Sequence, residues 1–450
     1  MIWNITMTSR REFLATGAGA AVALAAQASC AQPASAAIKS ATAITEVFGD
    51  GQKLTVVALE YDQPIDGSKL SAASFQVEGR TITGVHASAS AAPSDRAASG
   101  KYVIVELSPN DPGAALKVSN PGGGGGGPPS GGGPPAGGGP PRMSPPVYKP
   151  AKATIVQTGP VVAVGGKAYA ASSAGVTTSR VSNLIVDDFQ PLEFHDPKTG
   201  DTLKYNLFTP KGYDPKKAYP LVLFMHDAGV TGPEVATTLR QGLGAVVFAS
   251  PEAQAKHPCF VLAPQFSRLV ANDASETTSD LDTTIDLIND LAGRFSLDRK
   301  RLYTTGQSGG AMMSLAMDIK YPTFFAASYI VAGQWDPEKC KPLATQKLWI
   351  VVAEGDLKAF PGQNAITAVL EKQGAKISRA VWDGRWTPEQ FAPAVAAMAA
   401  QGAAINYAVL QKGTVVPPGQ ADNGGGNHVN TWRIAYTIEG VRDWLFQQSR

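Results

Sequence analysis

Gly306-Gln307-Ser308-Gly309-Gly310 sets one serine among glycines in the pattern G-x-S-x-G. In a chain with 47 glycines the pattern alone is weak, but its surroundings strengthen it. A β-type run at 302–305 leads straight into it, and the small and apolar residues Ala311, Met312, Met313, Leu315 and Ala316 lead out, predicting a helix over 309–320. Such a strand–turn–helix presents a serine hydroxyl at a helix N-terminus, where N–H groups and the helix dipole favour developing negative charge. The chemistry this suits is covalent acyl transfer. A serine hydroxyl needs a base to take its proton, and on this kind of elbow the partners follow in the order serine, acid, histidine. Of His86, His195, His226, His257 and His428, only His428 lies beyond Ser308. It sits in a Gly/Asn-rich stretch that reads as a loop between the last strand and the final helix.

The acid should leave the C-terminal end of a strand on the same rim. The apolar run 348–353 is followed by Glu354-Gly355-Asp356, which makes Asp356 the expected acid. Asp383, after the run 377–382, is the main competitor, with Asp336 and Glu354 behind it. An oxyanion needs two N–H donors. Gly309, following the nucleophile, supplies one; Ala228, in the segment Met225-His226-Asp227-Ala228-Gly229 after the third strand, supplies the other. His226 reads as a loop-shaping residue, and Trp335, just after another strand, is a candidate substrate-binding residue.

The elements that must carry these residues are legible as two regions. From 181 onward, candidate strands at 203–208, 221–225, 259–263, 302–305, 326–331, 348–353 and 405–410 alternate with helical segments at 281–295, 309–320, 363–373 and 431–446. Several strands are continuous apolar runs, as in a parallel sheet covered on both faces, so an α/β domain is expected over 181–450. Between 41 and 180 short β-branched runs (53–60, 74–78, 81–85, 102–107 and 153–164) are broken by Gly, Asp and Pro every 8–12 residues, predicting an all-β sandwich. A tract over 121–146, almost wholly Gly and Pro, interrupts it; it cannot bury a core and reads as a disordered insertion.

The first 36 residues read as an address. Ser9-Arg10-Arg11-Glu12-Phe13-Leu14 fits the twin-arginine export pattern, an apolar stretch follows, and Ala34-Ser35-Ala36 fits a cleavage site. The expected location is periplasmic or secreted; lipid attachment at Cys30 is a minor alternative because Gln27-Ala28-Ser29 fits a lipobox poorly. The apolar stretch is short for a membrane span. With 39 basic and 37 acidic side chains, electrostatics favours neither nucleic acid nor an anionic membrane as partner. There is no H-E-x-x-H, paired C-x-x-C or EF-hand loop, so a mechanism with no cofactor and no metal is expected.

With these residues in place, the chain resembles the esterases that join an N-terminal immunoglobulin-like domain to a polyhydroxybutyrate-depolymerase-like α/β-hydrolase domain, often grouped with prolyl-oligopeptidase-family hydrolases. The resemblance rests on Glu46-Val47-Phe48-Gly49-Asp50-Gly51-Gln52, Leu59-Glu60-Tyr61-Asp62-Gln63-Pro64-Ile65, Tyr219-Pro220-Leu221-Val222-Leu223-Phe224, Gly306-Gln307-Ser308, Val331-Ala332-Gly333-Gln334-Trp335-Asp336, Asn427-His428 and the terminal Gly440-Val441-Arg442-Asp443-Trp444-Leu445-Phe446. It implies Ser308, Asp356 and His428 as the triad. It also implies a strand order that puts Cys259 and Cys340 on opposite sides of the nucleophile strand, too far apart to pair, so both should be free thiols. Two departures stand out: His226-Asp227 replaces the family's usual His-Gly, and Gly309 stands where many relatives have a larger residue.

The function expected is a serine carboxylic-ester hydrolase acting on small or medium acyl or aryl esters, with self-association through the immunoglobulin-like domain left open. Polyester depolymerase and feruloyl-type esterase are the near alternatives. A serine peptidase of this fold would carry a large propeller in front, for which the β region is too short. A non-catalytic binding module would have no use for the serine, acid and histidine together.

Overall fold

The structure, a computed structural model, describes residues 38–118 and 145–450. The expected export signal, and the Gly/Pro tract up to residue 144, lie outside them. The N-terminal region is built on a long hairpin, Ile38–Phe48 against Gly51–Asp66, whose turn uses Gly51 at φ +116°. Around it forms a five-stranded sheet in the order Arg180–Asn183, Ile38–Phe48, Gly51–Asp66, Ser99–Leu107, Ile82–Ser88. A three-stranded sheet of Val176–Thr177, Thr154–Gln157 and Phe75–Val77 accompanies it. The last strand of the larger sheet runs to Asn183, slightly past the change of pattern at Val181.

The α/β region has strands β1 (Gln190–His195), β2 (Thr202–Phe208), β3 (Tyr219–Met225), β4 (Phe260–Gln265), β5 (Leu297–Gln307), β6 (Ala327–Val331), β7 (Leu348–Ala353), β8 (Ile377–Trp382) and β9 (Ile405–Leu410). They form one nine-stranded sheet in the order β1-β2-β4-β3-β5-β6-β7-β9-β8. β2 runs antiparallel to both its neighbours, and every other pairing is parallel. The central strands are buried on both faces, which is why they read as unbroken apolar runs: Leu221 to Met225 and Leu348 to Ala353 are all 0% exposed. β1 has no such run because it is an edge strand, open to solvent along most of its length.

The main helices are α1 (Asp280–Arg294), α2 (Gly309–Lys320), α3 (Ala359–Lys372), α4 (Pro388–Ala399), α5 (Gly424–Ala435) and α6 (Glu439–Phe446). α4 contains Pro388 and Pro393, residues that punctuate a sequence; Pro388 is at its first turn, and Thr387 with Gln390 completes a capping box. The single helix expected over 431–446 is two. The chain breaks at Ile438, which is extended (φ −76°, ψ 92°), and the Thr437 hydroxyl donates to the Ile434 carbonyl at 2.7 Å. The first of the two starts earlier than expected. Asn423 caps it by accepting from the Gly426 N–H at 2.8 Å, so the Gly/Asn-rich stretch is helical and His428 is on α5, not in a loop.

Val47 of the N-terminal hairpin lies in the main α/β core, and the hairpin turn rests on α5: a Cβ added to Gly49 would come within 2.5 Å of Arg433 Cγ. Gln52 accepts from Arg240, whose guanidinium lies 3.9 Å over the Tyr148 ring. Among the described residues no helix is long and apolar enough to cross a membrane. Cys259 and Cys340 are both free and buried, and burial pushes each thiol up to about 12.

One buried acid gives α2 a measurable pH dependence. Asp318 is 1% exposed, and burial raises its carboxyl from 3.8 to about 7, opposed only in part by the Ser328 hydroxyl. The folded chain therefore holds a proton that the unfolded chain has released. Stability should fall as pH rises between about 4 and 7, by up to ~4 kcal/mol. Asp318→Asn should remove that dependence, so its Tm advantage over the parent should be larger at pH 8 than at pH 5. An equal Tm difference at both pH values would contradict the assignment.

Candidate active site

β5 and α2 meet at the G-x-S-x-G turn because the glycines leave no side chain in the way. A Cβ at Gly306 would lie 2.3 Å from the Gly310 carbonyl carbon, and one at Gly310 would lie 1.9 Å from the Met225 carbonyl oxygen. Ser308 is left in a strained conformation, φ 52° and ψ −117°, held by its N–H donating to the Val331 carbonyl at 2.9 Å. This lifts the hydroxyl out of the turn, partly exposed, while Gly309 and Gly310 stay buried.

The side chains of Ser308, His428 and Asp356 lie in one hydrogen-bonded line. His428 Nε2 is 2.8 Å from Ser308 Oγ, and His428 Nδ1 is 2.5 Å from Asp356 Oδ2. Asp356 is 2% exposed, and its other oxygen accepts from the N–H groups of Lys358 (3.0 Å) and Ala359 (2.9 Å) at the start of α3. Its charge is thus met by backbone donors at a helix N-terminus. A carboxylate facing Nδ1 fixes the proton there, leaving Nε2 free to accept from the serine. The Trp432 ring packs edge-on to the imidazole at 5.2 Å and limits its swing.

The rival acids are occupied elsewhere. Asp383 is bound by Arg385 at 2.9 and 2.6 Å, and those hydrogen bonds hold its carboxyl below the usual range. Asp336 caps a 3₁₀ turn by accepting from the Glu338 N–H, and Glu354 accepts from the Lys412 N–H.

Ala228 and Gly309 face each other: a Cβ on Gly309 would lie 3.2 Å from the Ala228 nitrogen. Asp227 organises this pair. One of its oxygens accepts from the Gly229 N–H at 2.8 Å; the other accepts from Gln307 Nε2 at 3.0 Å, tying the loop to the residue before Ser308. Gln307 also donates to Gln241 at 3.1 Å. His226 is 1% exposed, and its Nε2 accepts from the Phe266 N–H at 3.0 Å, so Nδ1 donates to the Asp227 carbonyl at 2.7 Å. Desolvation holds its pKa down and keeps it neutral, in a role that shapes the loop. Trp335 is 6% exposed and packs in the main core, so it offers no open face to a substrate.

Sequence reasoning missed the groups that hold this hydrogen-bonded line in place: Gln307, Asp227, and the close approach of Gly355 to Asn427. A Cβ on Gly355 would lie 2.3 Å from Asn427 Cγ, and Asn427 precedes His428 on α5. Gly355→Ala should push α5 away from the acid loop. Since a displacement of about 1 Å can cost ~10²-fold, kcat should fall on that scale with KM little changed. A kcat within ~3-fold of the parent would show that α5 does not need this contact.

A family model described as the esterase Ig-like N-terminal domain matches residues 40–170. No curated protein matches the chain. Among solved structures, a thermostable esterase aligns with a TM-score of 0.73 at 27% identity, covering 92% of this chain and 100% of its own. A ferulic acid esterase covers 57% of this chain and 98% of its own at 11% identity, with a TM-score of 0.40. A feruloyl esterase module from Clostridium thermocellum covers 56% and 88% at 12% identity, with a TM-score of 0.38. The first of these spans both regions of the chain, and the family model covers most of the N-terminal one. The chain is an esterase-type hydrolase in which an immunoglobulin-like N-terminal domain is joined to an α/β-hydrolase domain.

Proposed function

We propose that the protein is a serine carboxylic-ester hydrolase that cleaves small or medium acyl or aryl esters through an acyl-enzyme on Ser308. The observation that carries this is the unbroken line from Ser308 Oγ through His428 to Asp356, with Ala228 and Gly309 side by side next to it. Ser308 Oγ attacks the ester carbonyl carbon while its proton passes to His428 Nε2. The carbonyl oxygen becomes an oxyanion against the Ala228 and Gly309 N–H groups, and Asp356 stabilises the charged imidazole. Collapse breaks the bond to the alkoxy oxygen, which leaves as the alcohol with the proton from His428. Water then repeats the sequence on the acyl-enzyme and releases the acid.

The twin-arginine pattern and cleavage site at the N-terminus support action outside the cytoplasm, after folding inside it. A p-nitrophenyl ester assay on the purified chain tests the catalytic reading. It should show turnover and, where deacylation is the slower step, a burst of p-nitrophenol equal to the enzyme present. A folded chain that releases no p-nitrophenol from any ester between acetate and octanoate would refute it.

A further inference from the structure

Ala228 and Gly309, with Phe266, Leu269, Val270 and Met313, line a small niche. Its free volume is about 10 Å³, room for roughly one water or methyl group. Phe266, Val270 and Met313 are each 4% exposed or less. Three of the walls belong to the segment between β4 and α1, and its far end is fastened across the sheet. Asp273 accepts from Lys358 Nζ at 2.5 Å and from Gln334 Nε2 at 3.0 Å. Ser275, at φ 58°, accepts from the Asp336 N–H at 2.8 Å through its hydroxyl and from Lys339 Nζ at 2.9 Å through its carbonyl. The segment thus starts beside β3, on one side of the nucleophile strand, and is clasped by the loops after β6 and β7 on the other.

The two halves of an ester are assigned by where His428 stands. Asp356 and His428 come from β7 and from the helix after β9, on the opposite side of β5 from β4. His428 must hand its proton to the leaving alkoxy oxygen, so the alcohol lies on the His428 side. That leaves the acyl substituent for the other side, where Ala228 and Gly309 border the niche.

We propose that this niche is the acyl pocket, and that residues 266–279, fastened at the buried Ser275, limit the acyl group to about two carbons. The substrate class is then acetyl esters, with selectivity on the acyl side set by the clasped segment. This rests on Ser308 acting as the nucleophile. The test measures kcat/KM of the whole chain for p-nitrophenyl acetate, butyrate and octanoate. Misfitting a single methylene can cost 10–200-fold, so acetate should exceed octanoate by at least ~100-fold. Met313→Ala deepens the niche and Ser275→Ala removes the buried hydroxyl that accepts from the Asp336 N–H; each should raise the octanoate-to-acetate ratio by at least ~10-fold. Octanoate turned over as fast as acetate by the parent, or a ratio unchanged in both folded variants, overturns the proposal. Fluorophosphonate labelling run in parallel separates the failures. A labelled Ser308 with the wrong chain-length profile sinks only the size limit, whereas no labelling and no turnover sink the nucleophile and the pocket together.

Discussion

Ser308→Ala is expected to lower kcat/KM for a p-nitrophenyl ester by roughly 10⁶-fold, the scale on which removal of an activated serine acts elsewhere, with the fold unchanged. The expectation follows from the site having a single nucleophile placed to use its base. His428 Nε2 faces Ser308 Oγ at 2.8 Å, and Ala228 and Gly309, side by side next to it, offer N–H groups to the oxyanion that forms when this oxygen attacks a carbonyl carbon. Alanine keeps the backbone, so the strained turn at φ 52° and the bond from residue 308 N–H to the Val331 carbonyl should persist. Thermal melts that match within a few degrees, beside a loss of this size, would place the effect in chemistry. A loss under ~100-fold would mean that another group performs the attack.

The acid is the second large effect. Asp356→Asn should cost at least ~10³-fold in kcat, and Asp383→Asn less than ~10-fold, both measured on folded protein. Asparagine at 356 can still accept from the Lys358 and Ala359 N–H groups through its carbonyl oxygen. Its NH₂ would then face His428 Nδ1, where a donor favours the wrong imidazole tautomer and supplies no charge to balance the imidazolium. Asp383 is engaged by Arg385 and makes no contact with His428, so losing its charge removes a surface pair of small worth. The reverse order of effects would move the acid to the strand before Asp383. Equal, small losses would leave Ser308 and His428 without the partner assigned to them.

Much of this site could be read from residue types and order. Ser308 announced itself through glycines that the turn requires, His428 through elimination, and Asp356 through its place after an apolar strand. The central strands were legible because both faces are buried, while edge strand β1 lacked the apolar run that would mark it. What stayed hidden depends on contacts between distant parts of the chain. Nothing local says that Asp227 reaches Gln307, that Gly355 must be small because Asn427 lies against it, or that Asp273 clasps Lys358. The glycines of 424–426 argued for a loop, yet the Asn423 cap and the packing of Trp432 and Ile434 make that stretch a helix. Trp335 looked available for a substrate because it follows a strand near the rim; its ring is in the core instead. Asp227 alone carried a readable signal, since an Asp two residues before Gly229 suits the capping turn it makes.

The most direct test of the central claim is the position of a fluorophosphonate adduct. The probe phosphonylates a serine only where a base activates the hydroxyl and donors receive the anionic oxygen, so it reports the whole arrangement at once. Digestion and mass spectrometry of the treated protein should locate one adduct, on the peptide carrying Gly306-Gln307-Ser308-Gly309-Gly310, and the same treatment of His428→Ala should leave that peptide essentially unlabelled. An adduct on a different serine, or labelling of Ser308 undiminished without His428, would contradict the account.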